Sequence, residues 1–469
     1  MTSTISAPLK TIALFAAAFA CTAAAAQQGV SYEAAWARMK AVSDKLGAAQ
    51  AAVESGALAQ KGMQGLGGPL VSLSAAAVAY NANLSVDLDP LNRRLAQVDQ
   101  HLPIPLQNLP IPLPLPTLPS RYTFNQSDSF TTSSISAVWP IYAGGVSNAT
   151  REFVRAQHGE AEADFSQAEH EAATLLAQRY FGAQLAIKAS QLRDAALKDI
   201  EQHDAAAEKM LKAGVIARVE RLQARVAFED ARRNAAKAKS DAELATAALA
   251  RMLKTNGTVV PQTPLFAITQ PLEPLDHFIR IALDNHPGLA KVAAKRSQAQ
   301  SLHDGEEALR KPQVFAFGQS ELTTSHPSWV AGVGVRWTLF DAVDRNALSA
   351  ASLQKVRQAE LTDAQARSDI ALLVEKNWRN AEQARRNFLA MQASIDLAEE
   401  VLKLRRAGVR EGTSTTLELI DAELNFAKVK TERAQSAYEF EAALAALLES
   451  CGMSDKFSSY IARADVNID

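Results

Sequence analysis

The sequence predicts a mainly α-helical chain that also carries a membrane β-barrel, built by tandem duplication. Three observations point there. The second half of the chain repeats the first, each half holds a proline-free run long enough for an exceptionally long helical hairpin, and each hairpin follows a short segment of alternating apolar residues.

The repeat comes first because it organises the rest. Placing Trp139 over Trp337 fixes an offset of 198, and the register then holds without a gap for more than a hundred residues. Asn148-Ala149 meets Asn346-Ala347, Gly214 meets Gly412, Glu220 meets Glu418, Ala224 meets Ala422, Phe228 meets Phe426 and Glu243 meets Glu441. A match of that extent implies two structural copies. The first copy is expected over 27–254 and the second over 276–452, with a proline-rich linker at 255–275 and a C-terminal tail at 453–469.

The hairpins come next. No proline interrupts 146–260 or follows Pro327, so helices can run unbroken over 146–254 and 344–450, each reversing at a glycine. From Ala149 to Lys212 is 64 residues, about 95 Å of helix at 1.5 Å per residue. No globular core needs that length. Beyond the second reversal Leu417, Ile420, Leu424, Ala427, Thr431, Ala434 and Tyr438 alternate spacings of three and four, a coiled-coil period that any long helical bundle would also show.

The strands discriminate better. In 329–339 the odd positions are apolar or aromatic and the even ones mostly small or polar, the alternation of a strand with one greasy face. Trp329 and Trp337 stand near its ends as membrane-interface aromatics would, and Trp139 occupies the matching place in 133–141. Each copy also has shorter helical stretches and a second strand ahead of its hairpin, 32–60 then 70–84, and 275–309 then 314–320, so the second strand pair covers about 313–340. Four strands per chain cannot close a barrel, whereas three chains supply twelve. One segment breaks the symmetry: the first strand pair is joined by an external loop over 85–128 whose part 101–119 alternates proline with Leu and Ile, a polyproline II composition.

Bulk properties limit the function. The 469 residues are 48% hydrophobic but only 6% aromatic, and alanine-rich runs such as 245–250 suit closely packed helices. A formal charge of -2 with interspersed signs offers no field for nucleic acid. Residues 1–26 read as a secretory signal, with Lys10, an apolar run over 11–21 and Ala24-Ala25-Ala26 before Gln27. Phe19 makes the stretch before Cys21 a poor lipoprotein site, and Cys451 is left with no cysteine partner and no metal-ligand neighbours. Beyond the signal no run of about 20 apolar residues exists, so entry into a bilayer must use strands. The eight histidines are dispersed and no metal-protease, phosphate-loop or nucleophile-elbow motif appears, so neither an enzyme nor a cofactor is expected. A soluble periplasmic coiled-coil adaptor or structural protein is the rival reading, but it would not need greasy strands.

Together these residues resemble the TolC family of outer-membrane efflux proteins. The resemblance rests on the joint Trp139-Pro140-Ile141-Tyr142-Ala143-Gly144-Gly145 and its counterpart Trp337-Thr338-Leu339-Phe340-Asp341, on the hairpin reversals, and on Asn285-His286-Pro287-Gly288-Leu289. It implies a trimeric twelve-stranded barrel in the outer membrane, continued by a long periplasmic α-helical coiled-coil barrel. It implies lipid around the barrel, a periplasmic membrane-fusion adaptor, and an inner-membrane RND or ABC transporter that chooses the cargo. It places adaptor docking at the tips Gly214, Val215, Ile216, Ala217 and Arg218, and Gly412, Thr413, Ser414 and Thr415. It also turns the second hairpin inward, so that Glu418 and Asp421, three residues apart on one helix face, ring a constriction that favours cations.

Overall fold

The computed structural model describes residues 28–100, 118–323, 328–340 and 342–468. The signal segment 1–26 with Cys21 and nearly all of the proline-rich stretch 101–119 lie outside these residues. The first half runs β1 (Gln28–Val30), α1 (Tyr32–Val42), α2 (Asp44–Met63), β2 (Leu70–Asp87), α3 (Asp89–Gln100), β3 (Arg121–Tyr142), α4 (Val146–Lys212) and α5 (Arg218–Met252). The second half runs β4 (Val259–Pro261), β5 (Leu265–Ala267), α6 (Leu275–Asn285), α7 (Pro287–Ala308), β6 (Gln313–Glu321), β7 (Trp329–Arg336), α8 (Arg345–Glu411), α9 (Thr416–Ser450), α10 (Phe457–Ala462) and β8 (Val466–Ile468). The duplication is visible in the lengths, since α4 and α8 each have 67 residues and α5 and α9 each have 35. Among the described residues no helix is long and apolar enough to cross a membrane.

Two compact units divide the chain, one over 61–153 and 299–355 and the other formed by the remaining segments. The first holds an antiparallel four-stranded sheet in the order β2-β3-β6-β7. Register carries Trp139 to Ala316 and Ala316 to Val333, so all three share a face with Trp329 of the same strand. The opposite face begins with serine pairs, Ser72 to Ser136 at 2.8 Å and Ser74 to Ser134 at 2.9 Å. On that face the rings of Phe317 and Phe315 lie over Gly332 and Gly334, where added Cβ atoms would sit 3.1 and 2.7 Å from them. Only glycine lets these rings lie flat on the neighbouring strand. The sheet is open at β2 and β7, and unpaired backbone on both edges has no water to satisfy it in lipid.

The external loop expected over 85–128 is shorter than its sequence suggests. β2 and β3 pair without a break from Leu70 with Val138 to Asp87 with Arg121, and α3 takes up part of what remains. Val86 opposite Tyr122, Leu84 opposite Phe124 and Val78 opposite Phe130 give the ribbon cross-strand contacts that its serine-rich intervals conceal.

In the second unit, Tyr32, Tyr180, Phe181, Phe266, Phe440 and Phe457 gather in one core, each worth about 1.5–3 kcal/mol of burial. The linker expected at 255–275 is not merely irregular: β4 pairs parallel with β1, and β5 pairs with β8 from the tail. Equivalent helix positions hold it. Tyr180 accepts from the Gln262 and Thr263 amides at 3.0 and 2.8 Å, and Gln184 donates to the Pro261 and Thr263 carbonyls. Their second-copy counterparts, Trp378 and Glu382, bind the Glu273 carbonyl and the Leu272 amide at 2.9 and 2.8 Å. Cys451 is fully buried, and desolvation pushes its thiol up to about 12, which suits a packing role.

Glu441 in α9 is also fully buried, and its Oε1 accepts from the Phe266 amide at 2.6 Å. Burial pushes its carboxyl well above 4.5, only partly offset by that amide. As pH rises past 4.5 the unfolded chain loses this proton freely while the folded chain keeps it, so stability falls by up to about 1.4 kcal/mol per pH unit until the folded group ionises. Glu441→Gln keeps the acceptor and removes the titration. Its thermal midpoint relative to wild type should therefore rise between pH 5 and pH 8; equal shifts at both values would disprove a neutral Glu441.

Candidate constriction and hairpin tips

Both reversals are built alike. Gly214 and Gly412 have φ of +74° and +75°, left-handed values that strain any residue with a Cβ, although nothing lies within 4 Å of where one would stand. The Val215 amide closes the first helix on the Met210 carbonyl at 2.9 Å, and the Thr413 amide closes the second on Gly408 at 2.8 Å. Past the turn the copies differ. Ala217 starts α5 with no side-chain cap, whereas its counterpart Thr415 caps α9 in a reciprocal box with Glu418.

That box changes the standing of one expected constriction residue. Glu418 Oε2 accepts from the Thr415 amide at 3.0 Å and lies 3.2 Å from Arg405 Nη1, so this carboxylate serves its own helix end. The Thr-x-x-Glu spacing was there to be read in the sequence. Asp421 stands one turn on, exposed, and pairs with no side chain among the described residues. At the tips Val215 is 71% exposed, while Ile216 is half-buried against a cluster containing Ile200, Ala224 and Ile420. Ala217, Arg218, Thr413 and Thr415 are exposed, and Ser414 is half-buried and accepts from Arg405 at 3.3 Å.

Sequence reading missed a cluster just past Asp421. Glu423, two residues past Asp421, is 5% exposed, lies 3.0 Å from His203 Nε2 of α4 and accepts from Arg406 of α8 at 3.2 Å. Burial pushes this carboxyl up, but His203 and Arg406 outweigh it and hold it below the ordinary range. His203 arrives from the other copy of the repeat, so no local pattern could announce the cluster. Of the tryptophans expected at the membrane interface, Trp139 lies in β3, Trp329 opens β7, and Trp337 follows it, its indole donating to the Arg310 carbonyl at 3.2 Å.

The profile of the outer membrane efflux protein family matches residues 117–254 and 278–453, which takes in both copies. The chain belongs to that family. Among curated protein sequences none matches this efflux protein. Its fold is shared by solved outer-membrane channels. CusC superposes with a TM-score of 0.71 at 16% identity, covering 90% of this chain and 91% of that one. The CmeC channel of Campylobacter jejuni gives 0.70 at 13%, covering 93% and 90%. The MtrE channel of Neisseria gonorrhoeae gives 0.69 at 15%, covering 90% and 89%. The efflux protein is thus an outer-membrane protein with the fold of those channels, a four-stranded sheet and two long helical hairpins in each chain.

Proposed function

We propose that this efflux protein works as a homotrimer and is the passive exit duct of a tripartite efflux or type I secretion assembly. An inner-membrane RND or ABC transporter and a periplasmic membrane-fusion adaptor deliver its cargo, and the chain performs no catalysis of its own. The observation that carries this reading is the pairing, twice in one chain, of strands open at the sheet edge with a 67-residue and a 35-residue helix. An open edge in lipid calls for closure by other copies, and a soluble adaptor has no use for it. Purified protein should enter planar bilayers as trimers that conduct ions; recovery from the periplasm without detergent would end the proposal.

Asp421 forms the narrowest ring, three free carboxylates around one axis, with Glu418 held back by Arg405 and its helix cap. Such a ring attracts cations and binds divalent ions. In single-channel recordings Asp421→Ala should lose most cation selectivity and divalent block. Glu418→Ala should change these less while costing the helix about 1 kcal/mol of capping. Selectivity and block unchanged in the double variant would remove the ring.

A further inference from the structure

The two strand pairs of the sheet are unequal in length. β6 and β7 have nine and eight residues, close to the ~9–11 that a tilted strand needs to cross a bilayer. β2 and β3 have 18 and 22. β3 leaves its partner β6 at Ser134 opposite Glu321, yet its pairing with β2 runs on without a bulge to Asp87 opposite Arg121. Residues 76–87 and 121–132 thus form a two-stranded ribbon that reaches about 40 Å past the shorter pair, at ~3.3 Å per residue. A two-stranded ribbon left by itself is marginally stable in water.

The apolar side of this ribbon changes face part-way along. Beside β6 and β7, Leu73, Ile135 and Trp329 stand in register on one face, while Ser72, Ser136 and Gln319, then Ser74, Ser134 and Glu321, stand on the other. Farther out the faces exchange character. The serine face continues as Val78 opposite Phe130, Leu84 opposite Phe124 and Val86 opposite Tyr122, and the tryptophan face as Asn81 opposite Ser127, Asn83 opposite Asn125 and Ser85 opposite Thr123. Tyr80 opposite Asp128 and Ala82 opposite Gln126 set one polar band within the apolar stretch. The register is unbroken throughout, so the exchange is written in the sequence and is not produced by a slip of the strands. Leu84 is 62% and Phe124 52% exposed, so among the described residues nothing in the chain itself covers this face.

On the trimeric reading above, the tryptophan face meets lipid and the serine face meets the lumen of the barrel. Where the ribbon leaves the bilayer, a polar outer face suits water, but an apolar inner face has lost any reason to face an aqueous lumen. Two further copies around the same axis present the identical face at the same height. We infer that the three ribbons lean together beyond the membrane, with Leu84, Val86, Tyr122 and Phe124 of each copy set against those of the other two, and close the external mouth of the channel with an apolar cap. The inference rests on the trimeric reading and adds to it a barrier on the outer side. An apolar constriction excludes water and hydrated ions until it is parted.

Equivalent residues of a trimer meet only near its axis, so one cysteine per chain tests the cap. Full-length protein purified in detergent and shown trimeric by light scattering is treated with a short bis-maleimide and run on a denaturing gel. Covalent dimers are expected from Phe124→Cys. Monomers are expected from Asn125→Cys, on the opposite face, and from the unaltered protein, whose Cys451 is buried. Monomers from a trimeric Phe124→Cys protein would overturn the cap and leave the face to lipid or to another segment of the chain, and dimers from both variants would overturn the inward facing. A particle that is not trimeric would overturn the functional reading itself. In intact cells, Ser74→Cys on the lumen face is then offered a maleimide carried on a polyethylene glycol chain and added from outside. Labelling is expected to be slow, and to quicken several-fold when Phe124→Asp is added, because three carboxylates near one axis repel one another. Equal labelling with and without Phe124→Asp would show a mouth that is already open and would overturn the closure.

Discussion

Export is expected to fall to the level of a deletion strain when Val215 is replaced by Asp, with trimer and membrane insertion unchanged. Val215 crowns the first reversal with 71% of its surface exposed, and only its backbone amide serves the turn. An exposed valine at a tip contributes nothing to the fold by burial. If the tips dock the adaptor, an apolar contact there must be desolvated, and a carboxylate in its place costs several kcal/mol unless paired. A loss of about 3 kcal/mol lowers adaptor occupancy more than a hundredfold. Ile216 is the wrong residue for this test, because its side chain packs against Ile200 and Ala224 and its loss would loosen the tip itself. Full export through a Val215→Asp channel at wild-type levels would remove adaptor docking from the first tip.

The second large effect is on stability. Arg385 and Glu382 are 6% and 5% exposed, and they bind each other with Nη2 to Oε2 at 2.8 Å. Arg385 also donates to the Thr269 carbonyl at 2.6 Å, and Glu382 accepts from the Leu272 amide at 2.8 Å, so the pair pins the connection between the copies. Burial pushes the Glu382 carboxyl up, but Arg385 and the Leu272 amide outweigh it and hold the group below 4.5. Its stabilising contribution is therefore present above the unfolded value and lost as pH falls through the folded one. Arg385→Ala leaves this buried carboxylate only the Leu272 amide and the more distant Arg386, 3.8 Å from its Oε2, and should cost about 3 kcal/mol. Adding Glu382→Gln, which keeps the acceptor for Leu272, should recover part of that loss. A thermal midpoint within a degree or two of wild type for Arg385→Ala would show that the pair is not coupled to folding.

The repeat, the long hairpins and the strand pairs were legible because each leaves a local or strictly periodic signal. The offset of 198 predicts equal copies, and helices of 67 and 35 residues appear twice. Glycine at 214 and 412 marks the turns because only glycine adopts their φ without strain. Alternation in 329–337 marks a strand because a pleated chain turns every second side chain to one face. The first half of β3, residues 121–132, escaped notice because its apolar residues make sense only once register pairs them with β2.

What lay beyond the sequence was every role that depends on which distant helix arrives beside a residue. Glu418 and Asp421 look alike in sequence, yet Arg405 and the helix terminus claim one and leave the other free. Glu423 reads as another surface acid, and becomes a buried junction only when α4 and α8 bring His203 and Arg406 to it. The sequence by itself determined the period, the reversals and the alternation, since these are set by backbone geometry and nearest neighbours along the chain. The tertiary structure alone decided which charges are buried, which are paired and which apolar stripes remain uncovered, because desolvation and pairing depend on what packs alongside rather than on what lies next in the chain.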